Sequence, residues 1–285
     1  MLPNASAAAV TVRCLGDFSV TVDGAPVERW RAGKARNLFQ FLMLNRGHVV
    51  PRERLYEILW PGCETDRSTS LKVAAHALRQ ILGGCADGSP VEVVYQDVGY
   101  LLRCTGMWVD TEEFEAAVDA AREAERAGDT GTALAAHHRA VGLYQGDFLN
   151  GETAGWVDEQ RQWARAMVLR SLHHLRADAM LRDDPRAVVT WCRRILSVDP
   201  FQEEAYQNLL VVHGTLGELG QVRSWYDLCV QRLRDGLDVA PTGRTRQILD
   251  LALAGRLRGR RASAPRPVGD RRQGARNLQP LSLTA

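Results

Sequence analysis

The chain has 285 residues, 45% of them hydrophobic and 25% charged, with a formal net charge of +2. That length suits about two ordinary domains, and that apolar content excludes a wholly disordered chain. No uncharged apolar run approaches the ~18–20 residues of a membrane span, and Met1–Val12 lacks a basic segment followed by an apolar one, so a cytoplasmic protein with no membrane partner is expected.

The first strands are legible from alternation. Val10–Cys14 and Phe18–Val22 alternate apolar and polar positions around Gly16-Asp17, and Asp23-Gly24 is a strong turn signal. From Lys34 the period becomes helical, with Leu38, Phe39, Phe41, Leu42 and Leu44 on one face and a stop near Asn45-Arg46-Gly47. Pro51 opens a second helix at a favoured first-turn position, Leu55, Ile58 and Leu59 supply its buried side, and Trp60-Pro61-Gly62 ends it. A third helix runs from about Ser68 to Leu82 with a stripe of Leu71, Ala74, Ala75, Leu78, Ile81 and Leu82, broken by Gly83-Gly84. Val91–Tyr95 and Tyr100–Arg103 then read as a hairpin around Gln96-Asp97-Val98-Gly99.

Beyond Met107 the strand signal almost disappears. Glu112–Ala127, Thr130–Gln145, Gly155–Leu181, Pro185–Ser197, Gln202–Gly214, Leu219–Leu233 and Gly243–Leu253 read as helices with short separators, which favours antiparallel neighbours. Ala187, Trp191 and Ile195 recur as Val222, Tyr226 and Val230 35 residues later, close to the 34-residue tetratricopeptide period. Ala133, His137 and Val141 share the spacing. The strict motif is not met, so the region is expected to be tetratricopeptide-like and irregular. Residues 256–285 are polar and rich in Arg, Pro and Gly, a composition expected to stay disordered.

The small net charge conceals a division. Residues 1–104 carry +2, residues 105–255 carry −7 and residues 256–285 carry +7. Such asymmetry suits parts with different partners. The three parts are expected to be a strand, helix and hairpin domain (1–104), a helical domain (105–255) and a tail (256–285). The fold class expected is mainly α: an N-terminal α/β winged helix-turn-helix, then an all-α tetratricopeptide-like domain.

Catalytic constellations are not found. Gly33-Lys34 lacks the earlier glycine and the following Ser or Thr of a phosphate-binding loop, and neither G-x-S-x-G nor H-E-x-x-H occurs. The six cysteines are scattered without C-x-x-C spacing and are read as reduced, mostly buried thiols. His137-His138 and His173-His174 sit at i, i+1, pointing to different helix faces, and are read as helix-surface residues. No enzyme, cofactor or metal ligand set is expected.

The third helix carries a different signal. Opposite its apolar stripe lie Ser68, Thr69, Lys72, His76 and Arg79, hydroxyls first and cations after, without an intervening carboxylate. Such a face suits a major groove, where Arg and Lys read guanine and Ser and Thr reach phosphates or bases. Lys34, Arg36, Arg52 and Arg54 cluster at the starts of the first two helices, where side chains and free amides suit phosphates.

The ordered set Gly16-Asp17-Phe18-Ser19-Val20, Lys34-Ala35-Arg36-Asn37-Leu38, Val49-Val50-Pro51-Arg52-Glu53-Arg54-Leu55, Leu59-Trp60-Pro61, Ser70-Leu71-Lys72-Val73, Leu78-Arg79-Gln80-Ile81-Leu82 and Gly99-Tyr100 resembles the Streptomyces antibiotic regulatory protein family. Trp108-Val109-Asp110-Thr111-Glu112-Glu113-Phe114, Ala133-Leu134, Leu143-Tyr144-Gln145-Gly146-Asp147-Phe148-Leu149 and Trp156-Val157 resemble the opening of that family's activation domain. The resemblance covers about residues 10–255. It implies an OmpR-type winged helix followed by a bacterial transcriptional activation domain. Its implied function is a DNA-binding activator of a secondary-metabolite (antibiotic) gene cluster, binding promoter direct repeats as a homodimer and recruiting RNA polymerase holoenzyme.

By position, the resemblance puts Ser68, Thr69, Lys72, His76 and Arg79 on the recognition helix, and Gln96 and Tyr100 on or beside the wing. Ala77 departs from the Arg that many relatives carry there, which moves or removes one contact. The nucleotide-binding domain of larger relatives lies beyond this sequence, so no ATP switch is expected. Two rival readings are an adaptor whose winged helix makes protein contacts, and an enzyme using a helical pocket.

Overall fold

A computed structural model describes residues 8–28, 30, 33–63, 67–82 and 90–257. The chain divides into two compact units, 1–208 and 209–285.

The first unit opens with β1 (Val10–Arg13), β2 (Ser19–Val22) and β3 (Ala25–Pro26). β1 and β2 pair antiparallel from Val10–Val22 to Arg13–Ser19, burying Val10, Val12 and Val20. Asp23 and Gly24 both take positive φ, 46° and 80°, which is the chirality a tight hairpin turn demands. Three helices follow: α1 (Gly33–Leu44), α2 (Arg52–Leu59) and α3 (Arg67–Ile81). β4 (Val50–Pro51), β5 (Val91–Gln96) and β6 (Gly99–Cys104) form a second sheet in the order β4-β6-β5. This is the strand, three-helix, hairpin order of a winged helix-turn-helix.

Pro51 departs from expectation. It sits at the N-cap of α2, not in the first turn, because it is paired as a strand residue with Gly99. That pairing brings two backbones into contact. A Cβ on Gly99 would lie 1.9 Å from the Val50 carbonyl oxygen, so glycine is dictated by the close approach. The Gly83-Gly84 stop lies outside the described residues.

A seventh strand, β7 (Met107–Val109), pairs parallel with β1 and completes the order β3-β2-β1-β7. Alternation does not reveal this strand, for a physical reason. All three of its residues are buried, so the period-2 alternation that reveals a half-exposed strand is absent.

α4 (Asp110–Ala127), α5 (Thr130–Leu143), α6 (Trp156–Leu181) and α7 (Pro185–Val198) follow, each packed on its predecessor. Their ends show ordinary capping chemistry: Asp129 accepts the Thr132 amide at 3.0 Å, Asp184 accepts that of Ala187 at 3.0 Å, and Gly128 closes α4 at φ 74°. The helices are stitched to the first sheet. Leu15 bridges Phe148, the Gly16 amide donates to the Asp147 carbonyl at 3.0 Å, and Asp110 accepts the Cys14 and Leu15 amides. Arg165 Nε donates to Asp147 Oδ1 at 2.6 Å, and the Tyr144 hydroxyl reaches the same oxygen at 3.0 Å.

The unit boundary falls within α8 (Glu203–Leu216). In the second unit α9 (Leu219–Leu237) and α10 (Gly243–Leu253) gather around buried Leu210, Val222 and Ala252, with Trp225, Tyr226, Ile248 and Leu249 packed against them. The deeply buried positions refine the repeat. Val188 and Ile195 of α7 correspond to Val222 and Cys229 of α9 at an offset of 34 residues, whereas Trp191 and Tyr226 of the expected pairing are only half-buried. The helical region is thus tetratricopeptide-like.

Of the five described cysteines, Cys14, Cys192 and Cys229 are buried, Cys104 is half-buried and Cys63 is exposed. Burial pushes the Cys192 thiol up to about 12, as befits a core residue and not a nucleophile. Among the described residues no helix is long and apolar enough to cross a membrane. The expected disordered tail lies, from residue 258 on, outside the described residues.

Candidate nucleic-acid interface

α3 presents two contrasting faces. Leu71, Ala74, Ala75 and Leu78 are buried, and the helix packs on α1, α2 and β5. Ser68, Thr69, Lys72 and His76 are exposed on the other side, as their spacing dictates. Val73 and Gln80 are exposed with them, and Val73 keeps 58% of its surface open. Val73 is absent from the expected contact set because it is apolar. Its position, four after Thr69 and three before His76, was the available signal.

Arg79 sits differently from the rest of its set. It is half-buried, its Nε donates to the Val93 carbonyl of β5 at 2.8 Å, and its guanidinium lies 6.0 Å from the Tyr100 ring. The arginine therefore ties the helix to the wing, and only part of its guanidinium remains open. Tyr100 is itself buried and stands edge-on to exposed Tyr95 at 5.2 Å. Burial raises the Tyr100 hydroxyl above its usual range, against the pull of Arg79, so it remains a neutral donor at ordinary pH. Gln96 is exposed at the end of β5, beside the turn of Asp97 and Val98.

The four expected phosphate-binding cations do not form one patch. Arg52 joins the α3 face: its backbone N–H donates to the Val98 carbonyl at 3.1 Å, and its guanidinium lies 5.9 Å from the Tyr95 ring. Arg52, Tyr56, Ser68, Leu71, Lys72, Tyr95 and Tyr100 together line a recess of about 260 Å³. Its walls offer two cations, a serine hydroxyl and phenolic donors, a set suited to a phosphate oxygen. Among the described residues the Nε of Arg52 is buried with no hydrogen-bond partner, which leaves a donor available to such a group.

The other three cations stand apart. Lys34 and Arg54 line a second cleft, of about 550 Å³, with Asn37, Glu57, Glu152 and Trp156. Arg54 is paired with Glu57 at 3.0 Å, while Lys34 lies 6.0 Å from the Trp60 ring. Arg36 is half-buried with its guanidinium 4.9 Å from the Phe18 ring. Thus Arg52, Ser68, Lys72 and Tyr100 converge, Thr69 and His76 extend the same helix face, and Lys34, Arg36 and Arg54 do not share it.

Residues 30–102 match the family described as transcriptional regulatory protein, C terminal, and residues 109–250 match the bacterial transcriptional activator domain. Among solved structures, EmbR of Mycobacterium tuberculosis, in complex with a low-affinity phosphopeptide, superposes with a TM-score of 0.62 at 20% identity. The match covers 87% of this chain and 65% of that one, so the chain spans about two-thirds of the length of EmbR and shares its fold. The C-terminal TPR-containing domain of a Plasmodium falciparum FK506-binding protein matches at 13% identity and a TM-score of 0.36, over 52% of this chain and 92% of that one. No curated protein matches the chain.

Proposed function

From the two matched domains we propose that the chain is a DNA-binding transcriptional activator of the Streptomyces antibiotic regulatory protein type, which switches on a secondary-metabolite gene cluster by binding direct repeats near a promoter. The observation that carries the reading is the open face of α3. Ser68, Thr69, Lys72, Val73 and His76 are exposed on a helix whose other side is buried, and Arg52 stands at its edge beside an open recess.

In this reading α3 enters the major groove. Lys72 and His76 meet base edges or phosphates, Thr69 and Ser68 supply hydroxyls near the helix N-terminus, and the recess around Arg52 seats a backbone phosphate. Gln96 and the turn beside it follow the neighbouring backbone as a wing. Lys34, Arg36 and Arg54 add charge at longer range, and Arg79 acts chiefly by fixing the angle between α3 and the wing.

Residues 1–104 carry only +2, so one protomer is expected to bind weakly. Two protomers on repeated half-sites raise the affinity through effective concentration. Residues 105–255, at −7, are poorly suited to touch DNA. We assign them to protomer contacts and to docking of RNA polymerase holoenzyme, with the whole acting in the cytoplasm.

Footprinting of the chain's own upstream intergenic DNA tests the reading. Protection of two direct repeats on the same helical face, about 10–11 base pairs apart or a multiple, is expected. Absence of protection, with a protein partner retained by the Lys72→Ala variant, would move the assignment to an adaptor.

A further inference from the structure

His137 and His174 do not behave as surface residues of separate helix faces. The i, i+1 spacing of each histidine pair concealed a contact across helices. His137 on α5 is buried, and its ring stacks on that of His174 on α6 at 4.6 Å and an interplanar angle of 14°. Glu125 on α4 completes the group. Its Oε1 lies 2.9 Å from His137 Nε2 and 3.1 Å from His174 Nε2, and one ligand atom from each of the three residues falls within 4.8 Å of the others.

We propose that Glu125 Oε1, His137 Nε2 and His174 Nε2 form a binding site for a divalent transition-metal ion of the zinc class. Three protein ligands with a fourth position left to water is an ordinary zinc arrangement, and two imidazoles with one carboxylate select against magnesium and calcium. Ligand bonds of about 2.0–2.1 Å in a tetrahedron separate the ligand atoms by roughly 3.4 Å, so both histidine–carboxylate distances need widen only slightly, while the half-exposed His174 ring must turn out of its stack on His137 for both in-plane lone pairs to meet one ion.

The surroundings are built to aim these atoms. His137 Nδ1 lies 3.1 Å from Ser171 Oγ. A proton on Nδ1 donated to that hydroxyl fixes the tautomer whose Nε2 lone pair faces the metal. Arg170 holds the other carboxylate oxygen, Glu125 Oε2, at 2.5 Å and so leaves Oε1 turned to the two imidazoles. The His174 side chain is 44% exposed, which provides an entry path and the open fourth position. Because one ligand comes from each of three consecutive helices, a bound ion would pin α4, α5 and α6 together and stiffen the helical region.

Cobalt(II) titration of the full-length protein provides the test, since its visible d–d bands report coordination and a thiolate ligand would add an intense charge-transfer band. One equivalent should bind with d–d bands and no thiolate band, and zinc should raise the Tm. His174→Ala and His174→Gln, at a half-exposed site, should keep the metal-free Tm yet bind at least about tenfold more weakly and lose the zinc-induced rise. Ser171→Ala should retain the bands with affinity lowered about 10–100-fold. Absence of binding, a thiolate spectrum, or equal affinity in wild type and both His174 variants would overturn the proposal.

Discussion

The Asp110 carboxylate accepts the backbone N–H of Cys14 at 2.8 Å, across 96 positions of sequence. The same group takes the Leu15 N–H at 2.9 Å, and Asp110 is 2% exposed. Its burial raises the carboxyl above the ordinary value, while the amides of Leu15 and Cys14 pull the other way. The first residue of α4 thereby caps the end of β1, and β7 runs alongside. Asp110→Asn replaces one acceptor oxygen by a donor facing those amides. It should cost about 1.5–3 kcal/mol, read as a lower urea midpoint with an unchanged slope.

Arg79 and Lys72 lie on one helix but should fail differently when truncated. Arg79 donates to Val93 O, so Arg79→Ala should lower both Tm and DNA affinity, with Arg79→Lys only partly restoring them. Lys72 is exposed, so Lys72→Ala should leave Tm unchanged. Thermal melts of the two variants, measured without DNA, distinguish a wing-anchoring arginine from a groove-facing one.

Much of the scaffold was visible in the residues themselves. Half-exposed elements announce their period, so β1, β2, α1–α3, the β5–β6 hairpin and the helices from α4 onward lie close to their expected bounds. β7 was not visible, being buried on both faces, nor was β4, a two-residue strand whose pairing depends on Gly99. The α3 face was legible because solvent exposure follows helical spacing. The role of Arg79 and the dispersal of Lys34, Arg36 and Arg54 were not, since both depend on aromatic rings and carbonyls remote in sequence. The meeting of His137 with His174 was hidden for the same reason.

Val73 exposes a branched apolar side chain between Thr69 and His76. Such a group contacts the methyl of thymine and adds nothing to the electrostatic attraction. Val73→Ala should therefore reduce discrimination at one base pair of the site by about 1 kcal/mol and leave the salt dependence of binding as in wild type. Binding to a set of single-base operator variants checks this.

Arg165 holds the Asp147 carboxyl below its ordinary value, with the Tyr144 hydroxyl assisting. A depressed carboxyl stabilises the fold fully above the unfolded value of about 3.9 and loses that contribution as pH falls through the lower folded value. Asp147→Asn should consequently be less stable than wild type at neutral pH, with the gap closing as the pH drops below about 4. Urea melts across that range read the difference.

If the exposed side of α3 reads DNA, equilibrium binding across a salt series will register it. Wild type and Lys72→Ala would be compared on the protected upstream fragment and on an unrelated duplex. Wild type should prefer the upstream fragment, and Lys72→Ala should bind both duplexes more weakly with a log–log salt slope shallower by about one. Equal affinity and equal slope for the two proteins would contradict the placement of α3 against the duplex.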